Sequence, residues 1–514
     1  MVKQIEADIV IIGAGITGTT IARELSRYKL ETVVVERGGD AGNQGQTKAA
    51  GGMLYTGLVM LMSFILKSMM APDAPMYDPH SQKIKWLEQG FDMVPQWLEE
   101  LDIEHRRLIT MVIATNREEV KALESLVKFG EGIGLRYASP RWADKKTCLE
   151  IEPHLTKDVV ASLYSEGDLI HVSPWDIAIA QSENAKQNGV EFMFDTEVTG
   201  VLQKNGYQLV ETTRGSIKTR FIVNAAGLLA DTVADMGGAR DWGLTFVRTL
   251  SPILDKRAGR LVHSCLNAPP VPGKGPICYP TVDGNLKVET GSYQPTQDRY
   301  DLGAHAGEAM QNILEAKRYI PEISEKDVIR AYVGMRAFNT RDQEENIIEP
   351  CSTNPRFINA VVRLPGIIPA LPIARHVVEL LGDAGLELVT KPDFNPCRTE
   401  IPRFRDLSDG ERRRLIAQDA RYGHVVCRCE TITEGEIVEA IKRGARTVAG
   451  VRYRTRAGMG RCQGGFCSPR VVNILARELD VPVTQIMDSS LGSPIVPFKS
   501  KELLREAIKG GELE

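Results

Sequence analysis

Asp8-Ile-Val-Ile-Ile-Gly-Ala-Gly-Ile-Thr-Gly18 is the stretch that decides the fold. Its first five residues form an apolar run of the kind a parallel strand covered on both faces requires. Gly13, Gly15 and Gly18 follow, then a helical pattern through TTIARELSRY and a second apolar run, Thr32-Val-Val-Val-Glu36. Gly13 allows a tight turn, Gly15 lets backbone approach a pyrophosphate, and Gly18 lets the helix pack close on the strand. The helix N-terminus offers free N–H groups and a partial positive charge to phosphate. Glu36, eighteen residues beyond Gly18, ends the second strand and can accept hydrogen bonds from a ribose diol. A glycine-rich turn without ligand is the competing reading. The strand, helix, second strand and acid at these places argue against it and for a dinucleotide site.

A second signal lies near the other end. HVVCRCETITEGEI and RTRAGMGRCQGGFCSPR gather Cys427, Cys429, Cys462 and Cys467 with the spacing C-x-C, thirty-two residues, C-x4-C. Zinc modules usually pair cysteines as C-x2–4-C, so C-x-C is unusual for them. Iron–sulfur clusters take four thiolates at more varied spacing, and disulfides are disfavoured in a reducing compartment. A cluster is the favoured reading, with zinc the alternative. Arg428, Arg454, Arg456 and Arg461, with Gly458, Gly460, Gly464 and Gly465, offer cationic groups and N–H donors that would stabilise a negative cluster. Thr433-x-x-Glu436 reads as a capping box, and Pro469 to Leu479 as a second helix. Cys148, Cys265, Cys278, Cys351 and Cys397 show no ligand spacing and read as packing thiols.

At 514 residues, two to four domains are expected. A net charge of −4 gives no reason to expect nucleic acid. No secretory h-region precedes the first strand, so a cytoplasmic protein is expected. Ala49 to Leu66 runs eighteen residues without a charge, the lower edge of a membrane span. Its glycines favour a loop and buried helix beside the cofactor. The competing reading is a surface helix that docks on a partner subunit or peripherally on the inner face of a membrane.

Phe221-Ile-Val-Asn-Ala-Ala-Gly227-Leu-Leu-Ala-Asp231, together with the N-terminal glycines, resembles the D-amino-acid-oxidase-like superfamily of FAD enzymes. Within it the chain is most similar to the FAD-dependent glycerol-3-phosphate dehydrogenase group. Gly189-Val-Glu-Phe, Pro280 to Asn285, Gly334-Met-Arg336, Phe357-Ile-Asn and Pro365-Gly366 carry that likeness over residues 1 to about 385. C-R-C-E with G-x-G-R-C-Q-G-G-F-C resembles the bacterioferritin-associated-ferredoxin-like [2Fe–2S] domain. The resemblance implies an α/β fold: a Rossmann-like FAD-binding domain (about 1–75, 150–230 and 330–385) with an inserted α+β, antiparallel-sheet substrate domain (about 76–149 and 231–329). A linker (386–420), a small helical [2Fe–2S] domain (421–485) and a C-terminal tail (486–514) would follow. The implied flavin contacts are Gly13, Gly15, Ile16, Thr17, Gly18, Glu36, Arg37, Thr47, Val198, Ala226, Gly227, Gly334, Arg336 and Gly366.

The implied reaction is oxidation of a carbon bearing a hydroxyl or amino group, with the substrate positioned against the flavin. An anionic substrate needs an arginine fork. Arg336 stands where the superfamily places one, with Arg248 and Arg363 as second choices. Tyr55 occupies the place of a histidine in relatives; phenols are poor bases near neutral pH. His171 is another base candidate, against a structural role. Two segments depart from the glycerol-3-phosphate pattern and should touch the substrate pocket: Val247-Arg-Thr-Leu-Ser251 and Glu289-Thr-Gly-Ser292. The expectation is a dehydrogenase of glycerol 3-phosphate or a similar small anionic alcohol that passes electrons through the cluster to an external protein or quinone. The alternatives are an amino-acid, secondary-amine or 2-hydroxyacid dehydrogenase subunit, and an electron-transfer module without its own substrate.

Overall fold

The computed structural model describes residues 4–62, 81–133, 140–238, 240–270, 276–289, 294–342 and 345–509. The strand Gln4–Ile12 is the centre of an eight-stranded sheet, with Ile9, Val10 and Ile11 fully buried. It pairs in parallel with Gly215–Asn224 on one side and Thr32–Val35 on the other. Glu191–Met193 extends the sheet beyond Thr32–Val35, and Asn354–Val361 adds to the far half of Gly215–Asn224. Helices Ile16–Leu25, Pro174–Gln187 and Ala370–Asp383 pack together on this sheet, so its central strands carry apolar side chains on both faces.

A nine-stranded sheet forms a second layer. Its longest pair is Leu244–Leu254 against Val328–Asn339, antiparallel, with Val247 opposite Arg336. The remaining neighbours are antiparallel except Cys265–Asn267, which runs parallel to Thr110–Ala114. The divisions expected at 150 and 330 fall elsewhere. Ala161–Ser165 and all of Val328–Asn339 belong to this second sheet, because both lie flat against its strands. Met53–Tyr55, Leu169–Val172 and His105–Arg107 form a small third sheet. Leu58 to Met62, the described helical part of the uncharged segment, are buried in the largest apolar core together with Trp97 and Leu163. That is the loop-and-buried-helix reading; residues 63–66 lie outside the described residues. No described helix is long and apolar enough to cross a membrane.

The cysteine-bearing segment folds as its own small unit. Helices Glu434–Lys442, Val448–Thr455 and Ser468–Leu479 enclose Val426, Ile437, Val451, Val471 and Leu475. The capping box at Thr433 and Glu436 is formed in both directions. Residues 386–420 do more than link. Lys391 donates to the Asn188 carbonyl at 2.6 Å, and Arg398 pairs with Glu183 at 2.8 Å. Only Asp409–Gln418, a capped helix without a buried residue, has the character expected of a linker.

Two buried ionic knots fasten the small unit to the rest. In the first, Arg454 forks onto Asp40 and reaches Glu183 at 3.1 Å, all three side chains being 6 % exposed or less. Arg454 therefore does not attend the thiolates, as its sequence position suggested; its helix points it into the nucleotide-binding layer. In the second, Asp283 and Glu430 share Arg405 and Arg456, with Lys256 adding to Glu430 at 2.9 Å. Removing one partner of such a knot strands a charge out of water, a cost of about 3–5 kcal/mol. Arg454→Met should lower the unfolding free energy by that order in urea titration and open residues 386–420 to protease. The exposed control Arg413→Met should change stability by less than about 0.5 kcal/mol. Equal effects of the two substitutions would show that the Arg454 knot carries no docking energy.

Candidate functional site

The turn after Gln4–Ile12 requires its glycines by geometry. Gly13 lies at φ +107°, and a Cβ there would meet the Ala225 carbonyl oxygen at 2.5 Å. A Cβ on Gly18 would stand 1.9 Å from the Gly13 carbonyl oxygen, so the helix can approach this turn only without one. Gly15 precedes Ile16–Leu25 with no side chain to cap it, and the Ile16 N–H donates to Thr47 Oγ1 at 3.0 Å. Glu36 Oε2 accepts from the Ala14 N–H at 2.8 Å and Oε1 from the Gly38 N–H at 2.6 Å. Burial raises its carboxyl above the usual range despite those two donors. Glu36 thus orders the loops around the turn as well as facing the cleft.

From this turn a cleft of about 570 Å³ runs between the two large sheets. Gly13, Gly15, Ile16, Thr17, Glu36, Arg37, Thr47, Val198, Ala226, Gly227, Gly334, Arg336 and Gly366 all line it, as do Tyr55 and Arg363. Gly18 stands behind the turn as a packing position. Arg248 is the exception among the arginines. On Leu244–Leu254, Thr249 and Ser251 face the cleft, and the two-residue alternation of a strand turns Arg248 away. It is spent on Glu308 at 3.1 Å and Asp301 at 3.6 Å.

One end of the cleft is suited to an extended polar ligand, with Arg299 bridging Asp231 and the Leu228 carbonyl, and Arg37 over the Tyr300 ring. The other end is charged. Glu289 lies between Lys287 at 2.9 Å and Arg336 at 2.8 Å, and Lys287 also sits over the Tyr279 and Tyr332 rings. Lys287 and Glu289 escaped the sequence reading as a pair. The available signal was charges at i and i+2 on one face of a short apolar strand, Leu-Lys-Val-Glu. Thr290 to Ser292, the rest of that departure, lie outside the described residues. His171 does not line the cleft. Its Nδ1 accepts from the Val282 N–H at 2.9 Å, and burial, then the Lys287 charge, hold the imidazole neutral with a pKa of about 3. It is a structural histidine.

The four cysteines neighbour one another as two pairs, Cys427 with Cys467 and Cys429 with Cys462. The Cys467 thiol, then the Gly458 and Glu430 N–H groups, bring Cys427 down to about 6 against the effect of burial. The Phe466 and Gly464 N–H groups likewise favour the Cys462 thiolate. Four thiols in two pairs, fed by backbone donors, suit a negatively charged cluster. Among the described residues no three or more His, Cys, Asp or Glu side chains are grouped so as to hold a metal ion. Of the nearby arginines, Arg428 lies over the Phe466 ring at 4.7 Å and Arg456 is committed to the second knot.

These features coincide with known families. Residues 8–380 match the FAD dependent oxidoreductase (DAO) family, and residues 425–477 match the BFD-like [2Fe-2S] binding domain. The chain is 36 % identical over 506 residues to a glycerol 3-phosphate dehydrogenase of Caloramator mitchellensis, covering 96 % of this chain and 99 % of that one. It is 25 % identical to the anaerobic glycerol-3-phosphate dehydrogenase subunit A1 of Haloferax volcanii, over 92 % and 83 % of the two chains. Among solved structures it matches the dithionite-reduced L-alpha-glycerophosphate oxidase of Mycoplasma pneumoniae with FAD bound. That match has a TM-score of 0.67 at 26 % identity, over 77 % of this chain and 98 % of that one. The cleft between two sheets, the glycine turn beneath it and the paired thiols beyond it therefore belong to an FAD-dependent oxidoreductase of the DAO family that carries a BFD-like [2Fe–2S] domain.

Proposed function

We propose that this chain oxidises glycerol 3-phosphate at FAD held in the cleft and sends the electrons out through a [2Fe–2S] centre on Cys427, Cys429, Cys462 and Cys467. The observation that carries the substrate reading is the charge at the far end of the cleft. Lys287, Arg336 and Arg363 all line the cleft, and Lys287 and Arg336 flank the carboxylate of Glu289. Guanidinium and ammonium groups in such a lining suit a phosphate ester. The substrate named for the Caloramator mitchellensis and Haloferax volcanii relatives is the same compound.

Bound FAD supplies the hydride acceptor for the substrate's C–H carbon. The chain's own residues would do the rest. Gly13, Gly15 and the N-terminus of Ile16–Leu25 would hold the pyrophosphate, and Thr47, Gly334 and Gly366 would border the ring. Arg336 would fork onto the substrate's anionic group, held in place by Glu289. The Glu289 carboxylate and the Tyr279 and Tyr332 rings raise the Lys287 amine well above its ordinary range despite burial, so it stays an ammonium. As such it would stabilise negative charge developing on the substrate oxygen and would not take its proton.

Glycerol 3-phosphate added without oxygen should bleach the flavin's visible band. Arg336→Met should lower kcat/KM for that half-reaction roughly 10- to 150-fold, the worth of one charge-assisted contact. Bleaching by a neutral amino acid instead of the phosphate ester would overturn the substrate reading.

Cys467→Ser should remove the iron and its reduced-state EPR signal while the bound flavin stays at one per chain. Iron retained at the unmodified level would show that these thiols are not its ligands.

Glu289 also marks the pH response of stability. Burial opposes its charge, but Lys287 and Arg336 bring it to about 2 from 4.5. A depressed carboxyl adds stability above the unfolded value and loses it as pH falls from about 4.5 to about 2. The loss is about 3 kcal/mol, and Glu289→Gln should remove that component from the acid-unfolding profile. An unchanged profile would mean that the pair does not hold the carboxylate in its charged form.

A further inference from the structure

The cysteine unit is lopsided. Cys427 and Cys467 are 1 % and 2 % exposed and face the interior, whereas Cys429 and Cys462 lie on the surface. That exposed pair is the edge of the site open to solvent. Phe466 stands there, 48 % exposed, in the loop between the ligands Cys462 and Cys467. Arg428 and Arg470 bracket its ring at 4.7 and 5.1 Å. Arg461, 62 % exposed, extends the rim, and Arg330 from the second sheet continues it through Gln463 at 3.5 Å. Asp255, 4.0 Å from Arg461, is the carboxylate that meets this rim; Glu430 next to Cys429 is buried and committed to Lys256, Arg405 and Arg456. Among the described residues neither Arg428 nor Arg470 is in an ion pair.

An exposed aromatic between two guanidiniums has no packing role that explains it. Phe and Arg are residue types enriched at the centres of protein interfaces, and a same-sign ring of charge steers an oppositely charged partner to the patch it surrounds. We propose that this edge, centred on Phe466 and rimmed by Arg428, Arg470, Arg461 and Arg330, is the docking surface for an acidic one-electron acceptor protein. The inference rests on the reading above that electrons leave through the cluster. Each encounter would pass one electron from the reduced [2Fe–2S] centre to the partner's oxidised centre. Two successive encounters would clear the two electrons of one hydride, with the proton that the hydride leaves behind and the substrate's hydroxyl proton both released to solvent.

The test uses the holoprotein, reduced with dithionite and freed of excess reductant, mixed anaerobically with two haem proteins of opposite charge. The acidic probe is the haem domain of cytochrome b5 and the basic one is cytochrome c. Electron transfer to the acidic probe should slow steeply as salt is raised. The pair Arg428→Glu and Arg470→Glu should cut its low-salt rate roughly tenfold or more and should speed the basic probe. Calorimetric binding of the oxidised holoprotein to the acidic probe should weaken in parallel. If the double reversal loses iron, Arg461→Glu with Arg470→Glu serves in its place, with the EPR signal of the reduced centre as the check.

A change of the same sign with both probes would assign the arginines to the centre's potential and overturn the docking surface. So would rates indifferent to salt and substitution while the EPR signal is intact. Arginine-dependent sedimentation with phosphatidylglycerol vesicles, without binding to the acidic probe, would give the face to a lipid surface and overturn the proposal as well. Absence of any reduced-cluster EPR signal in the unmodified protein would overturn the electron-exit reading and this surface with it.

Discussion

Asp283 and Glu430 are carboxylates from different parts of the chain, 3 % and 1 % exposed, and they share two guanidiniums. Neither could be buried alone, since an uncompensated charge out of water costs more than any single contact restores. Arg405 and Arg456 make the arrangement tolerable, and by doing so they fix three segments at once. Asp283 belongs to the turn between Pro276–Pro280 and Leu286–Val288, Arg405 to the stretch expected as linker, and Glu430 and Arg456 to the cysteine unit. Burial pushes Asp283 upward and the two guanidiniums more than reverse it, so the carboxylate stays charged. Arg456 adopts a left-handed backbone conformation, φ +68°, to reach it. A non-glycine residue held there is uncommon, and here the ionic ring supplies what holds it.

The same turn ties that ring to the cleft. Tyr279, at one end, donates to the Gly51 carbonyl at 3.1 Å and lies under the Lys287 ammonium; Lys287 itself follows at the other end. Between them Val282 donates to His171, a neighbour of Tyr279 at 5.6 Å between ring centroids. A few residues thus carry contacts to the flavin cleft on one side and to the cysteine unit on the other. The cleft's charged end and the thiol site are therefore set by one rigid element and not by a hinge. A mobile carrier domain would need a weak, wet contact in this place; the dry ionic contacts at Asp283 and at Arg454 are the opposite of that.

The nucleotide layer was legible because its constraint is local. Three glycines and an acid within one βαβ unit must occupy those positions if backbone is to approach a pyrophosphate, and the contacts of Gly13 and Gly18 show why. The cysteine spacing was legible for the same reason. What escaped was set by partners far apart in sequence. Arg336 read as the first candidate fork and Arg248 as a second choice; strand register turns Arg248 away and Arg336 inward. Glu289 read only as part of a departure from a family pattern and Lys287 drew no reading; their meaning needed Arg336, forty-seven residues beyond Glu289, to arrive beside them. Arg454 sits among the cluster arginines in sequence, yet Asp40 and Glu183 claim it. No composition or period encodes such pairings, which arise only when two faces meet.

The exposures of the thiols follow from the packing of the small unit itself. Cys427 and Cys467 lie in its apolar core with Val426, Val471 and Leu475, whereas Cys429 and Cys462 are exposed. Neighbours of the exposed pair reach the segments of the second sheet: Glu430 meets Lys256 at 2.9 Å, and Arg461 lies 4.0 Å from Asp255. Buried ion pairs are weak contributors to stability, and here their value lies in orientation. They fix the four-cysteine unit against the layers that build the cleft in one arrangement.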